Sequence, residues 1–246
     1  MREYKFNIDD WTGGNTIGKS MGDAVSKDYT DLVENCLSAH TINVDTTGLK
    51  IAIYIEEAGD YVIDWGDGNV EDVQTVSYST AYEHVYENVG MYTIIADSDN
   101  KDAYVMIQTI YNKYITEILK CCKQPNYTAH LYNNMDNLVH IHKDAFKDLG
   151  NVTALYNAFN NSNCTNPAVF TYDIFRNMPS LTEIYHCFNK SNYTVLPDNM
   201  FGENKKLKQI KKSFNDLNDL IRRPSGLLQT DDDNIMEDCF NNHTDI

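Results

Sequence analysis

The sequence LTEIYHCF, residues 181–188, is one copy of a unit that recurs through the C-terminal half of the chain. Its counterparts are VTALYNAF at 152–159, LKQIKKSF at 207–214 and a weaker copy, IMEDCF, at 235–240. The copies end on Phe159, Phe188, Phe214 and Phe240, at spacings of 29, 26 and 26 residues. A period of about 26 residues is typical of a solenoid, in which each unit buries its apolar side against its neighbours. These four phenylalanines are therefore predicted core residues.

The residue before each of these phenylalanines is small: Ala158, Cys187, Ser213 and Cys239. A small side chain is expected where the chain turns at a closely packed inner corner. The remaining cysteines, Cys36, Cys121, Cys122 and Cys164, have no Cys-x-x-Cys spacing. We interpret the cysteines mostly as small buried apolar side chains. Of the adjacent pair Cys121 and Cys122, we expect one to be partly exposed.

An additional anchor precedes each repeat strand, in Asp144–Phe146, Asp173–Phe175 and Asn199–Phe201. The pattern resembles the BspA-like class of leucine-rich repeats, which occurs in bacterial and protist surface proteins. The resemblance implies a short leucine-rich-repeat-like solenoid of α/β repeats over residues 113–246. Residues 113–130 would be a degenerate first unit, joined rigidly to the preceding domain.

A different pattern occupies residues 41–112, where apolar and polar residues alternate as in half-buried strands. Turn signals rich in Gly, Asp and Asn separate the segments. About six or seven short strands at this spacing predict a β-sandwich. The predicted strands are 41–45, 49–55, 61–65, 70–76, 91–96 and 103–111.

The centre of this region is VIDWGDG at 62–68, followed by HVY at 84–86 and GMYT at 90–93. The Asp-Trp-Gly-Asp-Gly core with its downstream His-x-Tyr resembles the polycystic kidney disease (PKD) domain, an immunoglobulin-like sandwich that is usually a non-catalytic spacer or adhesion module. The resemblance implies that Trp65 and Tyr86 pack the core, and that Asp67 and Gly68 shape the turn. The chain has Val89-Gly90 where the family often has Pro-Gly.

Some PKD relatives bind calcium near acidic loops, and the carboxylates of Asp64, Asp67, Glu71 and Asp72 are oxygen ligands of the type that calcium prefers. The alternative interpretation is that they serve the turn and a solvated loop. His140 and His142 would share one face of a strand, but a zinc site needs further ligands, and a solvated strand face is the alternative.

Catalytic motifs are not evident: the sequence has no Gly-x-Ser-x-Gly, phosphate-binding glycine loop or His-Glu-x-x-His. Carboxylates are so abundant that no particular pair indicates glycoside hydrolysis. We therefore predict no catalytic residues, no cofactor apart from the calcium hypothesis, and a non-enzymatic protein.

The 246-residue chain has a formal net charge of −16 and a pI of about 4.7, which argues against a nucleic-acid partner. The cluster at Lys205, Lys206, Lys208, Lys211 and Lys212 is interpreted as a solvated face. No apolar run approaches the ~20 residues of a membrane span, so membrane insertion is not expected.

Residues 1–40 lack the apolar core of a standard secretory signal. We interpret them as an arm or attachment segment that contains a short helix near 26–37.

These features predict a mainly β, non-enzymatic structural and binding protein. The favoured expectation is a bacteriophage virion component, a head- or tail-associated fibre or decoration protein assembled in the host cytoplasm. Its expected partners are other structural proteins of the particle, and a host surface protein or glycan. The alternatives are a bacterial or protist cell-surface adhesin and an accessory part of a carbohydrate-active enzyme.

Overall fold

The computed structural model of the chain describes residues 35–76, 80–164, 166–228 and 235–241, and it is mainly β. The predicted helix near 26–37 therefore lies almost wholly outside the described residues. Fourteen strands and the 3₁₀ helix Thr109–Tyr114 lie in the described ranges. The strands are β1 Ser38–Val44, β2 Leu49–Ile55, β3 Gly59–Asp64, β4 Val70–Thr75, β5 Thr80–Tyr86, β6 Gly90–Ser98, β7 Val105–Ile107, β8 Ile115–Lys120, β9 Tyr127–Ala129, β10 His140–Ile141, β11 Ala154–Tyr156, β12 Glu183–Tyr185, β13 Gln209–Lys211 and β14 Ile235–Glu237.

The first part of the chain, residues 38–120, forms two sheets that we call the two-sheet body. One sheet has six strands in the order β10-β8-β1-β6-β3-β4, of which β10 comes from the second part of the chain. The other sheet has three strands in the order β5-β2-β7. In β2 the alternation seen in the sequence places one set of side chains inward: Ile51, Ile53 and Ile55 are all buried, whereas Lys50 is exposed. The 3₁₀ helix replaces the second half of the strand predicted over 103–111, and β5 was not among the predicted strands.

Contacts around Trp65 join the two sheets of the body. Trp65 follows β3, is fully buried, and stacks on the imidazole of His84 in β5 with ring centroids 5.0 Å apart. The Tyr86 hydroxyl donates to the Trp65 carbonyl oxygen at 2.8 Å. Gly66 has φ +81°, and a Cβ at this position would lie 2.6 Å from the Thr93 carbonyl oxygen, so only glycine fits.

The second part of the chain, residues 127–241, is a β-solenoid of about four turns. Its parallel sheet has the order β14-β13-β12-β11-β9. The strands begin at Tyr127, Ala154, Glu183, Gln209 and Ile235, at spacings of 27, 29, 26 and 26 residues. The strands pair in register, for example Leu155 with Ile184 and Ile184 with Ile210. The period found in the sequence is therefore the length of one coil.

The prediction that the repeats are α/β units is wrong for the described residues. The additional anchor that precedes each repeat strand lies in a series of tight turns, seen between His142 and Val152 in backbone hydrogen bonds that each span three residues. Because these bonds span three residues and not four, they close separate turns and do not form an α-helical ladder. The turns aim Phe146 and Leu149 into the core without a helix.

The junction between the two parts is continuous. Strand β8 pairs antiparallel with β1 and parallel with β10, so the six-stranded sheet extends into the first coil. One hydrophobic core runs from Leu37 to Phe240. Cys121 and Cys122 are both buried, so the expectation that one of them is partly exposed is wrong. Cys122 Sγ contacts the backbone of Val105 in the body, whereas Cys121 contacts the first coil.

Candidate interaction surfaces

Three of the four carboxylates considered for calcium accept hydrogen bonds at the turn after β3. Asp64 Oδ1 accepts from the backbone N–H of Gly66 at 2.7 Å, and Glu71 Oε1 accepts from Trp65 Nε1 at 3.0 Å. Asp67 binds His84, and Asp72 lies in β4 opposite Val62. In the ranges that the structure describes, no three His, Cys, Asp or Glu side chains come close enough together to hold a metal ion.

Asp67 is the most constrained of these carboxylates. Its Oδ2 lies 2.7 Å from His84 Nε2, and its Oδ1 accepts from the backbone N–H and side-chain amide of Asn69, each at 3.0 Å. Burial alone would raise the pKa of Asp67, but the hydrogen bonds from His84 and Asn69 outweigh it and lower the pKa. Because His84 also stacks on Trp65, this hydrogen bond fixes the turn against the core.

The solenoid is built around a column of stacked aromatic rings, one from each coil: Tyr132, Phe159, Phe188, Phe214 and Phe240. Successive centroids are 5.8, 5.7, 5.1 and 4.9 Å apart, and the last three pairs of rings are within 8° of parallel. All five side chains are buried. The four phenylalanines are those found from the spacing, whereas Tyr132 was missed because the first coil has Tyr where the others have Phe.

The corner around this column uses left-handed backbone in non-glycine residues. In the third coil His186, Phe188 and Lys190 have φ of 54°, 63° and 52°, and equivalent residues of the other coils are alike. Such residues cost roughly 1–2 kcal/mol each, and hydrogen bonds between coils offset this. The N–H of Phe188 donates to the preceding coil and that of Lys190 to the following coil, at 3.1 and 2.9 Å.

A groove of 530 Å³, which we call the corner groove, runs beside this corner across four successive coils. The residues that line it are all polar. Two rows of side chains occupy equivalent positions in successive coils, two and four residues after the aromatic column. The first row is Asn161, Lys190 and Asp216, and the second is Asp136, Asn163, Asn192 and Asn218.

The outward side of the solenoid sheet is a second, more closely packed surface. The Tyr156 hydroxyl donates to Glu183 Oε1 at 2.6 Å, and the Tyr156 and Tyr185 rings are 5.6 Å apart. The ring of His186 meets that of Tyr185 edge-on at 4.4 Å. These side chains are half-buried and contact one another, so much of their polar and aromatic surface is already engaged within the chain.

The histidines and lysines considered in the sequence lie apart from the corner groove. His140 is exposed in β10, and His142 Nδ1 accepts from the backbone N–H of Asp144 at 3.2 Å. Within the lysine cluster, Lys211 pairs with Glu237 at 3.2 Å and Lys212 lies 5.9 Å from the ring centroid of Tyr185. The other three lysines, Lys205, Lys206 and Lys208, are exposed.

A buried polar contact at the junction was also missed. His40 in β1 and the hydroxyl of Tyr132 are hydrogen-bonded at 2.7 Å, although the residues are 92 positions apart. Burial lowers the pKa of His40 from 6.5 to about 4 and raises the pKa of Tyr132. The imidazole is therefore neutral at physiological pH. No sequence pattern links the two residues, because the contact depends on how β1 meets the first coil.

Comparisons with family models, with curated proteins and with solved structures each gave no match to the chain. Among the described residues, no helix has the length and apolarity that crossing a bilayer would require. The candidate surfaces are therefore judged on their geometry and chemistry alone.

Proposed function

We propose that this chain is a non-enzymatic structural and binding protein, displayed on the surface of an assembled particle, and that the particle is a bacteriophage virion. In this proposal the two-sheet body is a PKD-like spacer, and the solenoid, related to BspA-like repeats, meets the partner. The partners are other structural proteins of the particle and a host surface protein or glycan. Residues 1–40, apart from Leu37 and the start of β1, which pack into the two-sheet body, would attach the chain to the particle.

The observation that carries the proposal is the unbroken sheet between the two parts. Strand β8 pairs with β1 on one side and with β10 on the other. The His40–Tyr132 hydrogen bond and the shared core reinforce the same junction. Such a junction supports a rigid spacer that holds the solenoid at a fixed angle, which suits repeated display on a symmetric particle.

The cysteines support assembly inside a cell. All six are free thiols, and five of them are buried in the packed interior. Burial raises the pKa of Cys187 to about 12, so its thiol is not ionised at physiological pH. Thiols used as apolar packing suit a chain that folds in a reducing compartment and reaches the outside when particles are released.

Quantitative mass spectrometry of purified particles and of washed cell envelopes from the source culture tests this proposal. Recovery at a fixed ratio to known particle proteins, resistant to high-salt washing, is the expected result. Recovery in the envelope fraction alone would contradict the proposal and favour the cell-surface adhesin. A hydrolytic activity towards glycans that is lost on substitution of one carboxylate pair would favour the enzyme alternative.

A further inference from the structure

We propose that the corner groove is a binding site for a neutral oligosaccharide laid along the solenoid axis. The proposal deepens the function proposed above and rests on the solenoid being the binding part of the chain. The groove crosses four coils, and neighbouring strands of a sheet are about 4.8 Å apart, so it offers a polar track of roughly 14 Å. That length accommodates a few hexose units.

The repetition of the lining is the first argument. In the second row, Asn163 and Asn218 place exposed amides two coils apart, and the amide of Asn192 between them donates to the Cys164 carbonyl oxygen. Each of these two exposed amides offers both a donor and an acceptor, as does each sugar hydroxyl. A ligand whose hydroxyls repeat along a chain is therefore better matched to this row than a compact ligand is.

The charge and polarity of the lining restrict the ligand further. The charged groups are Asp136, Asp216 and Asp219 against Lys190. This balance disfavours acidic polysaccharides and nucleic acid, because an anionic chain would be repelled. An extended peptide would require apolar pockets or a free strand edge, whereas the lining residues are Asp, Asn, Ser and Lys.

Hydrogen bonds between neighbouring coils hold the floor of the groove in place. Ser162 and Ser191 are buried in its floor, and Ser191 Oγ accepts from the N–H of Ser162 at 3.0 Å. The N–H of Asn192 donates to the Ser162 carbonyl oxygen at 3.1 Å, and its side-chain amide donates to the Cys164 carbonyl oxygen at 3.0 Å. The floor is thus ordered before any ligand binds, which lowers the entropic cost of binding.

Saturation-transfer NMR titration of the full chain with cellohexaose, chitohexaose and maltohexaose tests the proposal. We expect at least one to bind, more tightly than the corresponding disaccharide, because the longer chain contacts more coils. The double variant N163A/N218A removes two exposed amides of the groove and should weaken binding about tenfold. The control is Asn88→Ala, which removes an exposed amide of the two-sheet body and should leave binding unchanged.

Two outcomes would overturn the proposal: no binding of any hexasaccharide, or equal binding by the double variant and wild type. Neither of these would affect the particle proposal, which depends on co-purification. Conversely, oligosaccharide binding that requires Asn163 and Asn218 would stand even if the protein were absent from particles. The two proposals can therefore fail separately.

Discussion

The buried imidazole of His40 makes the stability of the junction sensitive to mildly acidic pH. His40 is only 4% exposed and lies between β6 and β8, opposite Ile94 and Ile118. Its pKa falls from 6.5 to about 4 on folding because burial disfavours the charged ring. Below pH 6.5 the unfolded chain therefore binds a proton that the folded chain does not accept until about pH 4. Stability is lost as the pH falls through this window.

The size of the loss follows from the two pKa values. At about 1.36 kcal/mol per pKa unit, the difference corresponds to about 3 kcal/mol once the unfolded state is protonated and the folded state is not. Between pH 7 and pH 5 the expected loss in free energy of unfolding from His40 is about 2 kcal/mol. The carboxylates with lowered pKa values, such as Asp67 and Asp144, lose their contribution at lower pH.

Urea unfolding at pH 7 and pH 5, for wild type and for His40→Gln, measures this effect. Glutamine keeps a polar group near the Tyr132 hydroxyl but does not titrate. Wild type should lose about 2 kcal/mol more than the variant between the two pH values. Equal losses in the two proteins would refute the reasoning, because the pH dependence would then come from other groups.

Three further predictions concern the turn and the aromatic column. Gly66→Ala should cost about 2–5 kcal/mol in unfolding free energy, from strained backbone and a clash with Thr93. Gly68→Ala, at φ +95° in open space, should cost only about 1 kcal/mol; similar losses in both would contradict the packing at Gly66. Phe188→Ala should cost about 3–5 kcal/mol, measured by thermal or urea unfolding. Phe188→Leu should cost less because leucine retains most of the apolar volume. A loss below about 1 kcal/mol for the alanine variant would argue against the aromatic column. Asp67→Asn should cost about 1–3 kcal/mol in unfolding free energy at pH 7. The difference from wild type should shrink as the pH falls below 3.8, the ordinary pKa of Asp67. The folded-state pKa is lower than this, and protonation of the carboxylate removes its contact with His84. A difference that does not change with pH would show that the charge of Asp67 is not involved.

The solenoid was largely predictable because each coil must offer the same anchor at the same place. Phe159, Phe188, Phe214 and Phe240 could be aligned by spacing alone, and the structure stacks them in one column. Tyr132 belongs to the same column but escaped detection, since the sequence around it departs from the other copies. The turns that replace the expected helices were also missed, because apolar spacing marks buried positions without fixing the backbone between them.

The candidate surfaces were harder to predict than the core. The corner groove depends on left-handed residues such as Lys190 and Asp216 that turn polar side chains to one side, and no motif marks those conformations. Asp64, Asp67 and Glu71 are engaged in hydrogen bonds at the turn, which agrees with the alternative to the calcium hypothesis, but the sequence did not identify their partners. The His40–Tyr132 bond joins distant parts of the chain, which local sequence patterns do not report.

Display of the solenoid on an intact particle is the central claim, and immunogold electron microscopy tests it most directly. The probe is an antibody selected against the outward sheet face around Tyr156 and Tyr185, which leaves the corner groove free. The account predicts gold at regular positions on intact purified particles, abolished by competition with the recombinant chain. Labelling that appears only after particles are disrupted, or only on cell envelopes, would contradict it.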